Sequence, residues 1–201
     1  MVLAIPAHRV LLTRKPDLVR HRFNQADAAS LGNAETGQAW TAALNDTRIV
    51  SQTARASATF SESRATVPAL ANLDASVDLT FQDSGMTTPS EDFVGICFRY
   101  QDNDNFLALG FDATKFYFYR ELAAARSAQG VTYAITAVDG TTYNIRVVAV
   151  GTSLLGYLDG VLRATATLSD FQTTTPAGLV FQRFGASVPQ SAIDNFIVRA
   201  V

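Results

Sequence analysis

The chain has 201 residues, 48% of them hydrophobic, and a formal net charge of −2 at pH 7. That length suits one β-rich domain with a full core, and the weak net charge supplies no broad field for nucleic acid. Cys97 is the single cysteine, which excludes an intrachain disulfide, and no stretch approaches the roughly 20 apolar residues of a membrane helix.

The first segment is basic. Arg9, Arg14, Lys15, Arg20 and Arg22 oppose only Asp17, so a cationic arm leads into an acidic remainder. Its apolar run, MVLAIPAHRVLL, has no basic stretch before it and is broken by Pro6 and Arg9, which makes a poor signal peptide. Pro6 and Pro16 oppose a continuous helix. Residues 1–21 are therefore expected to be extended and docked on a partner, ahead of a domain spanning 22–201.

From residue 22 onward, apolar and polar residues alternate in short runs bounded by Gly, Asp, Asn, Ser and Pro, the pattern of strands. SVDLTFQD (76–83) puts Val77, Leu79 and Phe81 on one face. DFVGICFRY (92–100), NFLALGFD (105–112) and KFYFYREL (115–122) follow as a meander. RELAAARSAQG (120–130) is the one candidate helix, of a turn or two at most. TYNIRVVAVG (142–151), SLLGYLDG (153–160) and VLRATATL (161–168) come next, and Asp159-Gly160 predicts a type I′ hairpin turn. AGLVFQRF (177–184) and AIDNFIVRAV (192–201) close the chain. So many short strands with almost no helix predict an all-β, antiparallel two-sheet sandwich of the jelly-roll type.

RFNQADAASLGNAETGQAW (22–40) resembles the opening of concanavalin A-like lectin/glucanase domains, close to the laminin-G-like group, as found in bacteriophage tail and virion proteins and in bacterial surface proteins. GICFRYQDNDNFLALGF, YNIRVVAVGTSLLGYLDGVL and IDNFIVRAV extend the resemblance, in order, over residues 22–201. It implies a phage virion protein, tail-associated or decorating, made in the host cytoplasm. Such a protein would bind host surface glycan or support the particle, with residues 1–21 on other virion proteins and the domain as a homo-oligomer, a trimer by analogy. A bacterial carbohydrate-binding module and a purely structural virion protein are the alternatives. No cofactor is required. The resemblance also suggests a structural Ca²⁺ where the first and last strands meet, at Asp194, Asn195, Asn24 and Asp27, although the same residues suit turn capping.

The residues argue against an enzyme. Hydrolases of this family carry two acids in an E-x-D-x-x-E run, and none of Glu35, Glu62, Glu91 and Glu121 has a partner at that spacing. Glu91 and Asp92 are sequential, hence on opposite faces of a strand. His8 and His21 fall in the arm and no G-x-S-x-G elbow occurs. Cys97 reads as a small buried hydrophobe, Trp40 as a core residue, and QDNDN (101–105) as a hairpin turn, since it lacks the glycine and distal glutamate of an EF-hand. For glycan, Tyr117 and Tyr119 share one face of their strand. If that face is concave and wet, Tyr117, Tyr119, Arg120, Asp102 and Asn103 line a groove; otherwise the tyrosines pack over the second sheet.

Overall fold

The computed structural model describes residues 15–57, 62–82, 93–112, 114–182 and 191–201. Every regular element among them is a strand: β1 (Asp17–His21), β2 (Thr41–Leu44), β3 (Thr47–Val50), β4 (Thr53–Ala56), β5 (Glu62–Val67), β6 (Leu73–Thr80), β7 (Phe93–Asp102), β8 (Asn105–Phe111), β9 (Lys115–Leu122), β10 (Ala125–Ala134), β11 (Thr142–Val150), β12 (Ser153–Leu158), β13 (Val161–Thr167), β14 (Ala177–Gln182) and β15 (Ala192–Arg199). One sheet runs β2-β5-β14-β7-β8-β9-β10 and the other β13-β12-β11-β6-β15-β4-β3, with β1 also on β15. All pairings are antiparallel, as the period-two pattern predicts. The chain forms the two-sheet sandwich.

The core lies between the sheets, where Val77, Leu79, Ile145 and Val147 of the second sheet join Ile96, Phe98, Leu109 and Phe118 of the first. β6 alternates strictly between buried and half-buried residues, so its Asp74, Ser76, Asp78 and Thr80 face outward. In contrast, the first eight residues of β7 and all of β14 are buried. The first sheet is therefore covered on both faces, which strands with continuous apolar runs permit.

At one edge the sheets join. β10 leaves β9 and pairs with β13 at Val131↔Thr165. Gly130 makes this crossing at φ 65°, and a Cβ there would stand 2.0 Å from the Thr165 carbonyl oxygen. Only glycine fits.

Three expectations change. The segment 120–130 is not helical: β9 continues to Leu122, Ala123 and Ala124 turn at φ 49° and 60°, and β10 returns with Ala125 opposite Leu122. A short alanine-rich run has too little helical stability of its own to resist a sheet partner. The sheet also begins before residue 22, because Asp17–His21 of the expected arm are β1, paired with β15. Consequently His21 is not a loose arm residue. It is 2% exposed, and its Nδ1 accepts a hydrogen bond from Trp40 Nε1 at 2.8 Å, while the Trp40 ring packs 5.1 Å from Phe196. Residues 1–14, with His8, and the Glu91-Asp92 pair lie outside the described residues. The Asp159-Gly160 turn forms with φ 49° and 77°, as a type I′ turn requires.

Candidate functional site

The tyrosine face of β9 is the outer face of the first sheet, and it is closed. Its floor is made of small residues, with Gly95 opposite Gly110 and Cys97 between Ala108 and Gly178. Large side chains lie across this floor. The Phe93 ring sits 4.6 Å from Tyr119, and the Phe106 ring 5.5 Å from it. Arg126 stacks over Tyr119 at 5.0 Å and Lys115 over Tyr117 at 4.7 Å. Tyr119 is 0% exposed and Tyr117 3%. Burial pushes both phenols well above their ordinary range, and that of Tyr100 up to about 12.

Polar groups on this face are linked in a chain, with Arg64 Nε left without a hydrogen-bond partner among the described residues. Tyr119 Oη donates to Gln182 Oε1 at 2.9 Å, Gln182 donates to Glu62, and Glu62 pairs with the buried Arg64. Arg64 donates in turn to the Asn103 carbonyl oxygen at 2.8 Å. The five expected glycan residues thus do not make a groove. Asn103 reaches the buried face with Tyr117 and Tyr119. Arg120 alternates to the other side of β9, where it pairs with Asp170 at 3.2 Å. Asp102 Oδ1 accepts from Asp104 N at 2.9 Å and Asn105 Nδ2 at 2.8 Å, which closes the β7–β8 turn.

The four residues suggested for calcium are spread over a hairpin cap, a register shift in β15 and an exposed position. Asp27 Oδ1 accepts from Ser51 N at 2.8 Å, capping the β3–β4 hairpin. Asp194 Oδ1 accepts from Asn195 N at 2.7 Å, and Asn195 Nδ2 donates to Asp78 Oδ2 at 2.8 Å. Asn24 is exposed. Calcium wants six to eight converging oxygens, whereas among the described residues no three acidic, histidine or cysteine side chains converge. The set does not fit the ion. Asp194 instead faces Asp78 across the β15–β6 ladder, and burial with that like charge raises its pKa.

The outer face of the second sheet is open. Alternation along β6 and β11 turns Asp74, Ser76, Asn144 and Arg146 to solvent, and together with Lys15 and Arg199 they line a recess of about 440 Å³. Arg146 grips Asp74 through both carboxylate oxygens, at 2.6 Å from Nε and 2.7 Å from Nη2. The fork geometry of guanidinium and carboxylate fixes both planes. Tyr157, opposite Arg146 on β12, lies 5.2 Å beneath the guanidinium. Arg199 Nε donates to Asp17 Oδ1 at 2.8 Å, and Asn144 Nδ2 to Asp78 Oδ1 at 2.8 Å.

Both oxygens of Asp74 are engaged by Arg146, and both of Asp78 by asparagine amides, so neither acid is poised to move a proton. What remains is a row of planar hydrogen-bonding groups next to an aromatic ring. The sequence pattern puts Ser76 and Asp78 on the polar face of their strand, but it does not set Asp74 beside Arg146, because strand order is not written in the alternation.

No family model and no curated protein matches the chain. Solved structures do match. The carbohydrate-binding module CBM66 from Bacillus subtilis superposes with a TM-score of 0.61 at 17% identity, covering 80% of this chain and 95% of its own. The likeness is one of fold. The exoplasmic/lumenal domain of VIP36, in a Ca²⁺/Man-bound form, gives 0.58 at 12% identity over 83% of this chain and 85% of its own. The Crh5 transglycosylase gives 0.60 at 11% over 90% and 83%. Since a binding module and a transglycosylase share the architecture, the fold by itself does not decide between binding and catalysis.

Proposed function

We propose that this chain is a non-catalytic carbohydrate-binding domain that holds sugar on the outer face of its second sheet. The observation that carries this reading is the open recess where the Arg146–Asp74 fork stands over Tyr157. Sugar hydroxyls need paired donors and acceptors in fixed planes, and a ring or guanidinium face suits the apolar side of a pyranose. Likeness to CBM66 and to the Ca²⁺/Man-bound VIP36 domain supports the same class of ligand. Attachment to a virion, through residues 1–21 and as a trimer, has only the resemblance of the sequence behind it. The glycan role has the fold likeness and the recess as well.

A glycan array followed by calorimetry tests the reading. The wild-type domain is expected to retain a saccharide, and Arg146→Ala to bind it about tenfold more weakly or worse, a loss of about 1.4 kcal/mol, with an unchanged circular dichroism spectrum. An array on which the wild type binds nothing, or a variant of undiminished affinity, overturns it.

A further inference from the structure

We infer that the sugar held in this recess is an acidic one, carrying a carboxylate or sulfate. This rests on the proposed glycan role and adds the ligand's charge. Three cationic side chains, Lys15, Arg146 and Arg199, border the recess. Their donors are largely unspent. Among the described residues, Lys15 Nζ makes no hydrogen bond or ion pair, Arg146 Nη1 makes none, and Arg199 uses Nε alone, toward Asp17. Asp74, the single acid bordering the recess among the described residues, already has both oxygens on Arg146.

The surrounding acids are spent too. Asp17 takes Arg199 and Arg20, and Asp78 takes the amides of Asn144 and Asn195. An incoming group therefore meets unpaired N–H and few free acceptors. A neutral sugar hydroxyl can accept one such bond, but an anionic group accepts several and gains from the charge. Arginine's planar fork suits carboxylate and sulfate oxygens in particular. Asp74 does not repel such a group strongly, since Arg146 neutralises it at hydrogen-bond distance.

The test compares a uronic acid oligosaccharide with its carboxyl-reduced, neutral counterpart, using the whole domain and calorimetry at two ionic strengths. We expect the acidic form to bind about tenfold tighter or more, with an advantage that shrinks as salt rises. Lys15→Ala should narrow the gap between the two forms; Lys15 is exposed and has no partner among the described residues, so its removal leaves the fold intact. A sulfated oligosaccharide in the same assay shows whether the site takes either anion. Equal binding of the acidic and reduced forms overturns the charge inference and leaves the glycan role standing. Binding of neither these nor any array glycan removes both.

Discussion

At the scale of single residues, His21 is the most informative side chain. Trp40 Nε1–H donates to its Nδ1, and Nε2 faces Gln25 Oε1 at 3.1 Å, so the ring is held neutral with its proton on Nε2. Burial drives its pKa below 6.5, against the opposing pull of Gln25, Glu35 and Asp194. A histidine with a lowered folded pKa contributes stability that is complete above 6.5 and is lost as pH falls through 6.5 toward the folded value. Asp194 acts in the opposite sense. Its raised carboxyl pKa favours the folded state as pH falls toward 3.8 and disfavours it as pH rises. We expect urea midpoints of the wild type to fall between about pH 7 and pH 5.5, and His21→Asn, whose Oδ1 can still accept from Trp40, to flatten that slope. Equal slopes in the two proteins would sink this account of His21.

At the scale of elements, the turn at Ala123-Ala124 shows local preference yielding to pairing. Both alanines hold left-handed φ, at a cost of roughly 1–2 kcal/mol each for a residue with a Cβ. The β9–β10 register supplies the compensation, with Ala125↔Leu122 and Arg126↔Glu121 closing the hairpin and Arg126 pairing with Glu121 at 3.3 Å. Replacing the pair by Asn-Gly, which suits a type I′ turn, should raise stability by about 1–2 kcal/mol and the melting midpoint by about 2–6 °C. A lower midpoint would mean that the left-handed φ of the two alanines carries no such cost in this turn. The alanine run misled because helix propensity is local, whereas strand pairing is decided by a neighbour the sequence does not name.

Strand faces were legible for the same reason in reverse. Val77 and Leu79 lie inward and Asp159-Gly160 turns because both follow from alternation and φ alone. Arg99 shows where alternation stops working. Cys97 faces outward in β7, so strict period two would send Arg99 outward as well. The ladder to β8 instead slips between Phe98 and Asp102, and Arg99 takes φ 48°. Its guanidinium then reaches inward to the carbonyls of Ala71 at 3.0 Å and Gly151 at 2.6 Å, bridging a loop and a turn of the other sheet. A bulge of this kind carries no signal in composition. The candidate site was hidden for a related reason: Asp74 and Arg146 are 72 residues apart and meet only because β6 pairs with β11.

At the scale of the whole molecule, the two outer faces differ in kind, and Cys97 reports which one is shut. The first sheet carries an aromatic and cationic layer over a glycine and alanine floor, while the second leaves its polar face in solvent. Cys97 sits in that floor, 0% exposed, with Sγ–H directed at the Leu179 carbonyl oxygen at 3.7 Å. Burial pushes its thiol up to about 12, so at neutral pH almost none is thiolate. Labelling by a thiol reagent such as DTNB should then proceed only through opening of the closed face. If the layer is part of the cooperative core, labelling tracks global unfolding and its free energy matches that from urea. Saturating saccharide bound on the opposite sheet should slow it only by the stabilisation that binding confers, about 2.7 kcal/mol at a hundredfold excess over Kd. Rapid labelling of the native domain would show a face that opens by itself, and protection beyond the binding free energy would place the sugar on the tyrosine side instead.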